Sequence, residues 1–170
     1  VFFQDNSSMQ LSASIFKAYD IRGVVPTTID AAVAEALGRA FGTLALREGQ
    51  TTVAVGRDGR LSGPSLGTAL MRGLNAVGID VIDLGIVPTP LTYFAAATLP
   101  VEGLVMITGS HNPPEYNGLK VGVGKSTLHG EGIQALHRRI VEGRFANGAG
   151  KVETHDIVTP YREYVRRNLQ

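Results

Sequence analysis

Short apolar runs alternate along this chain with segments whose apolar residues recur every three or four positions. Val33, Ala36, Leu37, Ala40, Phe41 and Leu44 carry helical spacing over residues 30–48. Thr28 or Asp30 is the expected N-cap there, and Gly49 the stop. Residues 51–55 form a short apolar run, which predicts a strand. The turn at residues 56–64 leads into a second helix, with Ser62 as its cap and Pro64 in its first turn. That helix carries Leu66, Leu70, Leu74 and Val77 and ends at Gly78. Residues 81–84, 104–108 and 119–123 predict three more strands. Helices are expected from Pro88 to about Thr98 and over residues 133–141 and 161–168. Upstream, residues 15–25 read as an extended segment closing on a turn.

Strands alternating with helices at this spacing predict an α/β layered domain with a largely parallel sheet. The third and fourth strands are joined by a loop rather than a helix, so an antiparallel edge is expected there. Residues 1–13 are expected to be a disordered or vector-derived tail. Residues 14–150 form the domain, with a boundary signal at residues 144–150, and residues 151–170 a terminal helix or connector.

Composition narrows the function. Gly 21 and Pro 8 argue for many tight turns and against a plain helical bundle. A formal charge of +1 supplies no global field for nucleic acid or an anionic membrane, and neither partner is expected. Without cysteine there are no disulfides, thiolate nucleophiles or thiolate metal sites. No apolar run approaches the ~20 residues of a membrane span. Residues 1–10 lack the pattern of a signal peptide, so a cytoplasmic location is expected. Gly124-Lys125-Ser126-Thr127 invites a phosphate-loop reading, but Leu119 stands where that motif requires glycine, so a turn is expected. His111, His129, His137 and His155 lack the short spacing of a zinc pair, and His137 is expected to be a solvated surface residue. Arg162, Arg166 and Arg167 read as a solvated helix face.

The most informative stretch is the loop from Thr108 to Lys120, at the end of an apolar strand where open α/β sheets bind ligands. Ser110 offers a hydroxyl nucleophile, with His111 and Lys120 as proton carriers or cationic partners. A Ser-His pair adjacent in sequence is not a triad, and a plain Ser/Asn turn with a surface histidine is the alternative. The turn at residues 56–63 has two readings as well. Arg57 and Arg60 could bind an anion, whereas Asp58 and Ser62 suit a turn and a helix cap; the structural role is preferred.

Four ordered stretches carry a resemblance. They are Phe16-Lys17-Ala18-Tyr19-Asp20-Ile21-Arg22-Gly23, Val55-Gly56-Arg57-Asp58-Gly59-Arg60-Leu61-Ser62-Gly63, Gly85-Ile86-Val87-Pro88-Thr89-Pro90 and Thr108-Gly109-Ser110-His111-Asn112-Pro113. Together they resemble the N-terminal, phosphoserine-bearing domain of the α-D-phosphohexomutase family. The first stretch is closer to the bacterial phosphomannomutase/phosphoglucomutase branch than to phosphoglucosamine mutases. The resemblance implies a three-layer α/β/α domain with a four-stranded mixed, mostly parallel sheet. It further implies interconversion of hexose 1- and 6-phosphates through phosphate carried on Ser110 and a bisphosphorylated sugar such as glucose 1,6-bisphosphate. Mg²⁺ would meet Ser110 through its phosphoryl group. Lys120 and Arg22 would supply fixed positive charge, Lys120 or His111 the proton transfer, and Asn112 the loop's orientation. Tyr19, Arg22, Asn112 and Lys120 would bind substrate.

Two departures stand out. Gly109 occupies a place where many relatives have Ala, a change that implies only a looser backbone. The family's acidic metal loop, sugar loop and second phosphate loop are missing. The chain is therefore expected to be the first of four domains, inactive without the later ones. A phosphoglucosamine-type mutase and a non-catalytic sugar-phosphate-binding domain are the alternatives.

Overall fold

A computed structural model describes residues 11–124 and 126–169. Its twelve main elements are β1 (Ile21–Val24), α1 (Ala31–Arg47), β2 (Thr52–Arg57), α2 (Gly63–Ala76), β3 (Asp80–Ile86), α3 (Thr89–Thr98), β4 (Gly103–Ile107), β5 (Tyr116–Val123), β6 (Ser126–Thr127), α4 (Glu131–Glu142), β7 (Val152–Thr154) and α5 (Val158–Asn168). One sheet runs β1-β5-β4-β2-β3-β7, with β6 paired to β5. The β4-β2-β3-β7 part is parallel, and β5 is antiparallel to both β4 and β1.

Strand alternation divides the core between two faces. Val53, Val55, Val105 and Ile107 enter the larger cluster with the apolar stripes of α1, α2 and α4. Ala54 and Leu84 meet Leu91 and Ala95 of α3 on the opposite face, where Phe94 packs edge-on against Tyr161 of α5. The expected three-layer α/β/α arrangement is therefore present. Among the described residues no helix is long and apolar enough to cross a membrane.

Seven strands replace the expected four. The added ones are short, two to four residues each, and so lack a periodicity that could be read locally; pairing with a neighbour creates them. Nor is β5 an edge, because β1 lies outside it. The strand expected over residues 119–123 starts earlier, at Tyr116. Asp30 caps α1 as expected, accepting from the Val33 N–H at 2.8 Å. Ser62 makes no cap bond with its side chain, because its Oγ accepts from Asn117 Nδ2 at 2.8 Å instead. His137 is half-buried, its ring 4.7 Å from that of Phe16. Residues 144–150 lie along the body: Ala146 donates to Thr43 Oγ1, and Gly148 and Gly150 donate to the carbonyls of Ala76 and Asn75.

Helices α1 and α2 meet backbone to backbone. A Cβ on Gly38 would lie 2.2 Å from the Leu70 carbonyl oxygen, and one on Gly73 only 2.1 Å from that of Glu35. Arg72 donates to Glu35 across this contact, at 2.8 Å from Nε. That hydrogen bond, reinforced by the charges of Arg72 and Arg39, holds the Glu35 carboxyl below its ordinary pKa against the opposing effect of burial.

Helix propensity favours alanine over glycine by about 1 kcal/mol, but overpacking a rigid contact costs roughly 1–3 kcal/mol. Gly73→Ala is therefore expected to destabilise the domain and lower its melting temperature by a few degrees. Thermal unfolding checks this; a melt at or above wild type would show that the helices separate freely.

Candidate active site

Strands β2 and β4 are parallel neighbours, with Arg57 opposite Ile107 at their carboxyl ends. The loops that follow them consequently emerge side by side, and the Asp58 N–H donates to the Ile107 carbonyl at 2.9 Å. From β4 the chain runs through Thr108 and Gly109, both buried, to an exposed Ser110.

Ser110 adopts a left-handed conformation, φ 52°, alone among the described non-glycine residues. That backbone costs an L-residue roughly 1–2 kcal/mol, and local bonds hold it. The Ser110 N–H donates to Thr108 Oγ1 at 2.9 Å. Asn112 closes the turn, donating to the Gly109 carbonyl from both its N–H and its Nδ2 at 3.0 Å. Ser110 Oγ lies 3.4 Å from His111 Nδ1, and both residues are exposed.

The return strand β5 and its outer neighbour β1 bring the cations. Arg22 pairs with Gly118 in the ladder. Its guanidinium, only 8% exposed, donates through Nη1 to the Gly109 carbonyl and through Nη2 to Asp20 Oδ2. Its Nε is buried with no partner among the described residues. Lys120 Nζ is 3.6 Å from the same Asp20 oxygen. One carboxylate thus orients two cations, a role that the sequence pattern left unassigned. A carboxylate two residues from an arginine was the available signal, but only the β1–β5 pairing adds Lys120. Tyr19 stands 76% exposed beside this group.

The neighbouring loop is structural. Arg57 donates to Asp83 Oδ1 at 3.1 Å. Arg60 donates to the carbonyls of Pro113, Tyr116, Ser110 and Asn112. Gly109 needs correction too. Its φ is outside the left-handed region, which falls on Ser110. What glycine provides is space, since a Cβ there would lie 2.1 Å from Arg60 Cζ.

Other candidates stay apart. Gly124, at φ 59°, turns the chain between β5 and β6 with no helix following directly, and Lys125 lies outside the described residues. Among the described residues no three His, Asp or Glu side chains converge as a metal site.

Comparison with known proteins identifies the family. The family model described as phosphoglucomutase/phosphomannomutase, alpha/beta/alpha domain I, matches residues 13–147. The chain is 52% identical over 159 residues to the phosphomannomutase/phosphoglucomutase of Pseudomonas aeruginosa, covering 94% of this chain and 34% of that protein. It is 45% identical over 157 residues to a phosphoglucomutase of Neisseria gonorrhoeae, covering 91% and 34%. A crystal structure of a phosphoglucomutase/phosphomannomutase family protein from Burkholderia thailandensis superposes with a TM-score of 0.91 at 48% identity, covering 94% of this chain and 37% of that one. The chain spans about a third of the length of the curated relatives it matches. With its α/β/α layers and its strand-end serine loop, the chain belongs to the phosphoglucomutase/phosphomannomutase family, to whose domain I it corresponds.

Proposed function

We propose that this chain is the phosphoserine domain of a cytoplasmic phosphohexomutase that interconverts hexose 1-phosphates and 6-phosphates of glucose or mannose. The observation that carries the reading is the exposed Ser110 on its left-handed turn, with Arg22 bonded to the same loop and Lys120 tied to Arg22 through Asp20. Family membership supports the reaction class.

In this scheme Ser110 Oγ carries a phosphoryl group. A sugar hydroxyl attacks its phosphorus, the P–Oγ bond breaks, and the hydroxyl proton passes to Lys120 or His111. The product is a bisphosphorylated hexose, glucose 1,6-bisphosphate where the sugar is glucose. After the sugar turns over, Ser110 Oγ attacks the other phosphorus, the bond from that phosphorus to the sugar oxygen breaks, and the seryl proton passes through the same acid–base group to the freed sugar oxygen. A covalent relay divides one awkward intramolecular transfer into two in-line steps. Arg22 and Lys120 stabilise charge on the transferring group, Asn112 keeps the loop closed, and Tyr19 meets the sugar.

The family resemblance implies Mg²⁺, but the described residues do not by themselves fit it, since no three acidic or histidine side chains converge. Later domains of the same parent chain are the proposed source of the metal ligands, the sugar-reading loop and the clamp for the second phosphate.

Three outcomes are expected. The full-length protein carries phosphate on the peptide containing Ser110, seen by mass spectrometry and lost in Ser110→Ala; phosphate elsewhere, with Ser110 bare and activity intact, would sink the mechanism. The 170-residue chain alone gives only background in a coupled assay with glucose 1-phosphate, glucose 1,6-bisphosphate and Mg²⁺, because positioning and charge stabilisation are both incomplete. In the full-length protein, Lys120→Ala or Arg22→Ala removes a charge-assisted contact worth roughly 2–4 kcal/mol, about 30- to 1000-fold in turnover. Turnover within twofold of wild type in both variants would make these cations bystanders.

A further inference from the structure

Helices α1, α2 and α4 cover one face of the sheet, and α3 and α5 stand on the other. The strand register shows which residues share that second face. Ala54, packed under α3, lies opposite Leu104, and Leu104 lies opposite Gly122 of β5. Two positions along, Met106 lies opposite Lys120, and Gly118 lies opposite Arg22 of β1. Directly opposed residues point the same way, as do residues two apart on one strand. The two cations of the serine site therefore stand on the α3 face. Helix α3 packs over β2 and β4, so among the described residues β5 and β1 form the uncovered part of that face.

A groove of about 200 Å³ runs between α3 and the turn from β5 to β6. Tyr93, Ala96 and Ala97 form one wall, Leu104 the floor and the turn the other wall. Among the described residues no charged side chain lines it, which does not suit a sugar phosphate. Tyr93 is 44% exposed, and beside it the small Ala96 and Ala97 leave room for another side chain to approach. Helix α5 brings the chain to this same face. Phe94 of α3 packs against Tyr161 and Tyr164 of α5, with ring centroids 5.2 Å and 5.5 Å apart. Beyond that contact α5 buries none of its residues, and Leu169 at its end is exposed.

We propose that the groove between α3 and the β5–β6 turn seats a later domain of the parent chain, which sets an apolar side chain against Tyr93, Ala97 and Leu104. The proposal rests on the reading above, in which later domains complete the site, and adds the surface on which they bear. Two observations favour that occupant. The chain covers only 34% of its Pseudomonas aeruginosa relative, and α5 directs whatever follows it along the α3 face. A second copy offers the same apolar chemistry, but a tethered domain meets the groove at an effective concentration on the order of millimolar. The groove also continues the half-site, since Gly122 at its floor and Lys120 are neighbours on one side of β5. An apolar anchor there fixes the distance between the cations and the groups facing them, and phosphoryl transfer depends on that positioning.

The test replaces Tyr93 of the full-length protein with the photoreactive residue p-benzoylphenylalanine, irradiates it and maps the products by mass spectrometry. The expected product is a monomer in which residue 93 is joined to a peptide beyond residue 170. Ala97→Arg, added to that variant, places a charge in the apolar seat and is expected to abolish the product. The same photoreactive group at Val141, exposed on α4 across the sheet, is expected to give none of it. If the residue 93 variant does not fold, the group placed at the exposed Ala97 gives the same reading from the same wall. Two chains joined through residue 93 would make the occupant a second copy and overturn the proposal. So would the absence of any cross-link, a product that survives Ala97→Arg, or an equal yield from position 141. Cross-linking is read without turnover, so the two readings fail separately. Hexose phosphate mutase activity with no intrachain cross-link overturns the docking surface alone, whereas the cross-link in a protein with no such activity refutes the proposed function alone.

Discussion

Arg22 sits opposite Gly118 in the antiparallel ladder between β1 and β5, and its guanidinium reaches under the serine loop to the Gly109 carbonyl. A buried cation is tolerable only when paired, because desolvation costs several kcal/mol. Asp20 supplies the pairing from the residue just before β1. The close approach of the strands is itself a requirement, since a Cβ on Gly118 would lie 2.0 Å from the Ile21 carbonyl oxygen. Without that contact β1 would not reach the sheet, and Arg22, Asp20 and Lys120 would have no common place to meet. The charge arrangement of the site therefore depends on an outer strand of four residues.

The serine loop stands on the opposite principle. Its backbone is unfavourable where it matters most, at the left-handed Ser110. The surroundings offset the strain with hydrogen bonds to nearly every polar backbone group nearby: Thr108 Oγ1 for the Ser110 N–H, Asn112 for the Gly109 carbonyl, Arg60 for four carbonyls more. Strain held in this way keeps one exposed hydroxyl pointing outward from an otherwise closed turn. A chain free to relax would bury or randomise it. The sheet supplies the rigid base, because the parallel β2 and β4 end side by side and fix the separation of the two loops.

The distribution of charge suits a partly built site. Arg22 and Lys120 share a single carboxylate, so this group keeps a net positive charge toward any phosphate that approaches. The chain spans about a third of its curated relatives. An open, cationic half-site of this kind fits the proposal that acidic and sugar-reading groups come from elsewhere in the parent protein.

Much of this was determined locally. Helices α1 to α3 and the strands β2 to β4 follow from apolar spacing, and Asp30, Gly49 and Gly78 mark their ends through backbone rules that need no partner. Ser110, His111 and Lys120 were legible as candidate chemistry because the loop follows an apolar strand, and the four ordered motifs pointed to the family. Tertiary structure decided what the local pattern could not encode. Strands β1, β6 and β7 exist by pairing, since two to four residues carry no period. Ser62 gives its hydroxyl to Asn117, 55 residues away, rather than to its own helix. Arg60 meets carbonyls 50 or more residues along the chain, and its guanidinium lies beside Gly109. Periodicity and capping reflect the few residues on either side, whereas a hydrogen bond between distant segments depends on where the packed sheet brings their backbones.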